Sequence, residues 1–204
     1  MAYFRPPGWI KRMFPEFIWS FPEETDSVFL TFDDGPIPEI TPWVLDELDK
    51  YGAKATFFCL GKNVEMHPEV FEQLLTRGHA VGNHSYSHIK GWGTDSAEYV
   101  HDIDLAESLI STNLFRPPYG RIKTSQVHVL KERYKFILWD VLSRDYSWTL
   151  SGKGCVKNVL KVVRPGSIIV FHDSKKAEKN LRYALPRVLE GLKERGFKMK
   201  SIRL

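Results

Sequence analysis

Residues 27–36 read SVFLTFDDGP: a short apolar run, then two adjacent carboxylates, then Gly-Pro. Ser27–Phe32 is too short for a typical helix and has no polar alternation, so it reads as a buried strand. Asp33 and Asp34 follow it directly. Adjacent carboxylates repel, which makes the pair unfavourable at a strand end unless a cation offsets one charge. Asp-Gly-Pro is also ordinary turn chemistry, and taken alone the segment fits that reading equally well.

Working outward, the same kind of run recurs at Ala53–Leu60, His79–Asn83, Leu114–Arg116, Lys135–Val141, Ser167–His172 and Phe197–Ile202. Helical patterns lie between them. One starts at Thr41-Pro42, a cap followed by proline at the first helical position, and stops at Gly52. Others span His67–Arg77, Thr94–Asn113, Thr124–Tyr134, Cys155–Val163 and Glu178–Arg195, the last with Pro186 predicting a kink or break. Strands alternating with helices predict a mostly parallel sheet covered by helices. Seven strands suit either an incomplete barrel or an open doubly wound sheet, and periodicity does not choose between them. Residues 1–26 are rich in proline and aromatics, among them Phe4, Trp9, Phe14, Phe17, Trp19 and Phe21. They read as an irregular arm packed on a single domain spanning 27–204.

The composition is that of a globular protein: 204 residues, 43% hydrophobic, 26% charged, net charge +4. The basic residues are interspersed with acids and no nucleic-acid-binding motif is present. No apolar run approaches the ~18 residues of a membrane span. Met13–Phe21 is interrupted by Pro15 and Glu16, a poor signal-peptide core, so the default expectation is a cytoplasmic protein. Cys59 and Cys155 read as two buried free thiols rather than a disulfide framework. Oligomeric state is not readable from the sequence.

The polar residues fall where strands end. Asp33 and Asp34 follow the first strand, and His84 and His88 the third. Arg116, leading Pro117-Pro118-Tyr119-Gly120, ends the fourth, Asp145 lies just past the fifth, and His172 ends the sixth. In parallel α/β folds those ends converge on one face, where active sites are built. Two histidines four residues apart plus a carboxylate make a common three-ligand metal site with an open position. Alone, His84 and His88 read equally as surface histidines. Beside the aspartate pair they form a set with Asp34, leaving Asp33 free as a general base. Asp145 is placed to orient His172 and favour its protonated form, and Arg116 to hold Asp33 ionised.

These segments, in this order, resemble the polysaccharide deacetylases with a NodB homology domain, carbohydrate esterase family 4. The resemblance runs from Ser27 to Leu204. Thr31–Gly35 (TFDDG) resembles the first motif, implying Asp33 as base and Asp34 as metal ligand. His84–His88 (HSYSH) resembles the second, implying both histidine ligands. Arg116–Gly120 (RPPYG) resembles the third, implying that Arg116 contacts the base and that the Tyr119 backbone N–H helps bind the oxyanion. Trp139–Tyr146 resembles the fourth, implying Asp145 as support for the catalytic histidine. Val170–His172 resembles the last, implying His172 as general acid. The resemblance implies a distorted, incomplete (β/α) barrel with about seven parallel strands and a divalent metal, zinc above cobalt or nickel. It further implies removal of N- or O-acetyl groups from a carbohydrate such as chitooligosaccharide or peptidoglycan. The chain departs from the family pattern at Tyr146, where tryptophan is usual, at Leu142, where an acid is frequent, and at Val170, where leucine is common. All three lie near the acetyl pocket and bear on the substrate. Rival readings are a non-heme iron oxygenase, which shares the two-His-one-carboxylate set, a non-catalytic carbohydrate-binding relative, and a hydrolase of another small amide.

Overall fold

The structure, a computed structural model, describes residues 6–204. The chain runs α1 (Gly8–Met13), β1 (Phe17–Ile18), β2 (Ser27–Asp33), α2 (Thr41–Asp49), β3 (Thr56–Cys59), α3 (Gly61–Met66), α4 (Pro68–Thr76), β4 (Ala80–Asn83) and α5 (Ser96–Glu107). It continues through β5 (Leu114–Phe115), a 3-10 turn (Pro118–Gly120), α6 (Thr124–Leu130), β6 (Lys135–Ile137), β7 (Val141–Leu142), α7 (Gly152–Val162), β8 (Ile168–His172), α8 (Glu178–Glu194) and β9 (Lys198–Lys200).

Nine strands among the described residues form one sheet in the order β1-β6-β5-β4-β3-β2-β8-β7, with β9 alongside β2. Every strand pair in it is parallel. β6 and β7 stand near opposite ends of that order, yet only Leu138–Asp140 join them. Three residues span roughly 10 Å, so the sheet must curl until its ends approach. This is the distorted, incomplete barrel that the family resemblance implied, and it decides against the open doubly wound sheet that periodicity left standing.

Side-chain parity along β2 sets the layers, because alternate residues face opposite sides of a strand. Val28, Leu30 and Phe32 join the large core cluster with Val44, Leu45 and Leu48 of α2 and Leu181, Leu185 and Leu189 of α8. Phe29 faces the barrel interior and packs with Phe58, Leu114, Ile137, Ile168 and Ile202. Thr31 and Asp33 share the parity of Phe29, so Asp33 points inward at the C-terminal mouth of the barrel.

Several elements differ from the sequence reading. The Lys135–Val141 run is two strands, because its linking residues switch backbone partners: Leu138 N–H donates to Ile18 O, and Asp140 N–H to Ile168 O. The arm is not irregular throughout. It holds α1 and β1, and β1 pairs with β6 in register Phe17↔Phe136. Phe4 lies outside the described residues. Pro186 sits inside an unbroken α8, whose apolar stripe of Leu181, Leu185, Val188, Leu189 and Leu192 stays buried on either side of it. Cys59 and Cys155 are both buried and free.

Candidate active site

Asp33 ends β2 between β3 and β8, in register with Phe58 on one side and His172 on the other. The residue is 4% exposed, and its carboxylate takes a 2.6 Å hydrogen bond from Arg116 Nη1. Arg116 is wholly buried inside the barrel. Nη1 also donates to Thr31 Oγ1 (2.8 Å), Nε to Ile137 O (3.0 Å) and Nη2 to Leu138 O (3.0 Å), and the guanidinium lies 4.0 Å over the Phe58 ring. A buried charge is tolerated only when paired and hydrogen-bonded, and both partners meet that condition. Burial alone would raise the Asp33 pKa, but Arg116, with smaller contributions from His84 and His172, outweighs it and the pKa is lowered. Asp33 is therefore an anion at neutral pH.

Asp34 turns the other way, at φ 83°. Its Oδ1 is buried without a hydrogen-bond partner and lies 3.8 Å from His84 Nε2 and 3.4 Å from His88 Nε2. An unpartnered buried carboxylate oxygen is costly, and a cation between the three groups would remove the cost. Ligand atoms bound tetrahedrally at about 2.0–2.2 Å sit roughly 3.3–3.6 Å apart, so the spacing fits a divalent ion with little adjustment. His84 Nδ1–H donates to Arg116 O at 2.7 Å, which leaves the Nε2 lone pair facing the site. Burial pushes the His84 pKa down to about 4, so the ring is neutral, the form that binds a metal.

The loop carrying both histidines is held by residues the motif reading passed over. Asn83 Oδ1 accepts Ser85 N–H at 2.7 Å. Asp102 of α5 accepts Tyr86 N–H, Ser87 N–H and Ser87 Oγ–H at 2.9, 3.1 and 2.6 Å. Asp102 shares the inward stripe of α5 with Tyr99, Ile103 and Ala106, and a carboxylate at an apolar helical position was the available signal. Asp173 is a second brace: it accepts Gly35 N–H at 3.1 Å and Thr41 Oγ1–H at 2.6 Å. A Cβ on Gly35 would lie 2.0 Å from Asp173 Oδ2, so only glycine fits there.

Across the cleft, His172 Nδ1–H donates to Asp145 Oδ1 at 2.8 Å, and the His172 backbone N–H to Oδ2 at 2.8 Å. Burial would lower this imidazole's pKa, but buried Asp145 reverses the shift and raises it to about 9. The loop after Asp145 is pinned by Asn180, whose Nδ2 donates to the carbonyls of Asp145, Ser147 and Leu150. Tyr119 sits in the 3-10 turn at φ 61°. The turn's hydrogen bonds run from Gly120 N–H to Pro117 O and from Arg121 N–H to Pro118 O, and neither uses the Tyr119 N–H. Its hydroxyl lies 3.2 Å from His88 Nδ1.

Among the described residues, the non-glycine residues at positive φ are Asp34, Ser85, His88, Tyr119 and Arg144. Each is a candidate site residue or the neighbour of one. Such conformations cost on the order of 1–3 kcal/mol each and persist where surrounding structure over-determines them. Six of the eight candidates, Asp33, Asp34, His84, His88, Tyr119 and His172, line one cleft of about 540 Å³. Arg116 and Asp145 lie behind it, both buried. His79, at a strand start, is far from this constellation in role: its Nδ1 accepts Ala55 N–H, and burial keeps it neutral.

The polysaccharide deacetylase family model matches residues 22–133. A peptidoglycan-N-acetylglucosamine deacetylase of Bacillus cereus is 32% identical over 191 residues, covering 90% of each chain. The chain belongs to the polysaccharide deacetylase family. A chitooligosaccharide deacetylase of Azorhizobium caulinodans is 32% identical, over 74% of this chain and 75% of that protein. Among solved structures, a peptidoglycan N-acetylglucosamine deacetylase bound to a naphthyl-substituted N-hydroxybenzamide superposes with a TM-score of 0.88 at 31% identity, covering 97% of this chain and 94% of that one. A pseudoenzyme of the same family from Bacillus anthracis superposes at 0.79 with 25% identity over 91% of this chain and 67% of that one. This deacetylase is a carbohydrate-directed hydrolase of a metal-dependent family, which removes the oxygenase reading, and among the described residues Asp34, His84 and His88 are the group close enough together to hold an ion.

Around the site, this deacetylase places Tyr146 where its family usually has tryptophan. The ring packs edge-on against His172 at 4.8 Å between centroids. Leu142 and Val170 also line the cleft, beside Trp139.

Proposed function

We propose that the chain hydrolyses the N-acetyl group of an acetylated hexosamine in a glycan of the chitooligosaccharide or peptidoglycan type, with zinc held by Asp34, His84 and His88. When bound, the ion supplies Lewis-acid polarisation of the acetyl carbonyl and acidifies water at the open position. Asp33, kept anionic by Arg116, takes the proton from the attacking water. The Tyr119 N–H, free of the turn's own hydrogen bonds, is positioned to donate to the developing oxyanion, a contribution that mutagenesis elsewhere puts at about 10²–10³-fold. His172, protonated through Asp145, delivers a proton to the departing nitrogen.

The observation that carries this reading is the 2.8 Å hydrogen bond from His172 Nδ1 to the buried Asp145 carboxylate, which favours the protonated imidazole. An amine must leave protonated, since an amide anion is far too basic, and a half-buried imidazole hydrogen-bonded to a buried carboxylate is the acid that reaction needs. An ester oxygen needs that proton less, so the same observation favours N- over O-deacetylation. The test is acetate release from N-acetylated chitooligosaccharides before and after chelation. Release that ignores the chelator would sink the metal assignment.

The Bacillus anthracis pseudoenzyme makes a second reading concrete, because this fold persists in a relative described as one. Here an aspartate pair, both loop histidines, the arginine, the supporting aspartate and the last histidine are all in contact range of their expected partners. A metal-loaded preparation that binds chitooligosaccharide without releasing acetate would favour the non-catalytic alternative.

A further inference from the structure

Besides the residues above, the cleft is bordered by Lys90, Arg121 and Lys176. All three are exposed. None of the ion pairs found among the described residues includes them, and none has a further interaction beyond those described here. Each instead lies over an aromatic ring: Lys90 over Tyr119 at 5.1 Å, Arg121 over Trp92 at 5.4 Å and Lys176 over Tyr146 at 5.7 Å. Two of those rings touch site imidazoles, Tyr119 against His88 and Tyr146 against His172. One cation thus stands a single ring away from a candidate metal ligand, another a single ring away from the candidate acid.

A cation over a ring at an exposed site gains only about 0.5–1 kcal/mol, enough to bias where the side chain rests while leaving its charge unneutralised. The acids lining the cleft offer no offset. Asp33 is committed to Arg116, and Asp34 faces the two histidines. A concave mouth bordered by uncompensated positive charge raises the local concentration of anions even where solvent screens it. A neutral chitooligosaccharide gives these three side chains nothing to pair with.

We propose that Lys90, Arg121 and Lys176 select an acetylated glycan that carries a negative charge, carboxylate or phosphate, on the reacting sugar or its neighbour. The inference rests on the deacetylase reading and adds the charge of the substrate to it. Lys90 and Lys176 act as mobile point charges at the two aromatic platforms. Arg121, with its planar fork, is the member suited to a bidentate contact with either anion.

The test compares kcat/KM for three N-acetylated oligomers of equal length, using the metal-loaded full chain. One is a neutral chitooligosaccharide, one alternates N-acetylglucosamine with N-acetylmuramic acid and so bears lactyl carboxylates, and one is a 6-O-phosphorylated chitooligosaccharide. The expected result is a preference for at least one acidic oligomer that shrinks as salt rises to 0.5 M. That preference should fall about fivefold per cation removed in K90Q, R121Q and K176Q, the size of one solvent-screened unit-charge contact. Whichever acidic oligomer responds identifies carboxylate or phosphate as the group recognised. All three positions are exposed, so single variants can be read if the triple variant fails to fold. An acidic-to-neutral ratio that is unity in the wild type, or unchanged by the substitutions, overturns the proposal, as does a loss shared equally by every oligomer. Absence of acetate from all three in the wild type would instead strike the deacetylase reading itself.

Discussion

His84, buried, and His172, half-buried, stand at the mouth of the same barrel, yet they are driven in opposite directions, one pKa down to about 4 and the other up to about 9. The difference is the partner. His84 gives its Nδ1 proton to a backbone carbonyl, which carries no net charge, and burial wins. His172 gives its proton to the carboxylate of Asp145, and the Coulombic attraction wins. Environments that push like groups apart are what divide a site into a ligand and an acid. The aspartates show the same division. Asp33 is tied to Arg116, while Asp34 keeps an oxygen unpartnered toward the imidazoles.

The strongest way to break the comparison is to remove each histidine. His84→Ala should lose the bound ion and with it all measurable acetate release. His172→Ala should keep the ion while losing about 10²–10⁴-fold in kcat, the usual worth of a general acid. Metal analysis beside the activity assay separates the two, and an ion lost from both variants would merge the roles. Asp33→Asn should behave like His172→Ala, with metal retained and kcat down by a similar factor; metal loss there would mean that the two aspartates have exchanged duties.

Asp145→Asn sharpens the contrast by leaving the imidazole and removing its anion. Activity needs His172 protonated, so the wild-type rate should decline as pH rises through about 9. Without Asp145 that limb should move toward acid, with the largest relative loss between neutral pH and 9. A pH–rate profile with an unmoved alkaline limb would show that another group controls it.

A smaller effect is expected in stability. The His172 pKa is raised on folding, so its contribution is fully present below the unfolded value near 6.5 and is lost as pH climbs through about 9. His79 and His84 are depressed, so theirs is present above 6.5 and is lost as pH falls toward about 4. Thermal melts of the metal-free protein should decline on both sides, and Asp145→Asn should lessen only the alkaline decline, to which Asp173, pushed up to about 8 by burial, also contributes. The smallest change is Tyr146→Trp, restoring the usual family residue beside His172. It should alter KM by less than about tenfold, the scale of a modest change in pocket shape, and a collapse in kcat would reveal a role for the phenol.

Much of this was readable in advance because the relevant signals are local. Apolar runs that end in charge mark strands, and parallel strands bring their C-terminal ends together, so the sequence alone gathers Asp33, His84, Arg116 and His172. What escaped depends on three-dimensional context. Lys135–Val141 looks like one strand because the sequence KFILWDV is a nearly unbroken apolar run, while the backbone changes neighbours at Leu138–Asp140. The Phe17–Ile18 strand is only two residues long, and tertiary pairing with β6 defines it rather than propensity. Asp102 and Asn180 hold loops through backbone groups, and a hydrogen bond to a distant N–H or carbonyl leaves almost no trace in residue spacing.

Asp33 and His172 are direct register partners on adjacent parallel strands. Neighbouring strands in any sheet lie about 4.8 Å apart, so the interval between the backbones that carry the two candidate proton-handling groups is inherited from the most invariant dimension of the architecture. Loops at the mouth can then lengthen, shrink or change charge across generations without retuning that interval. A lineage built this way is free to explore new sugars while its chemistry stands still.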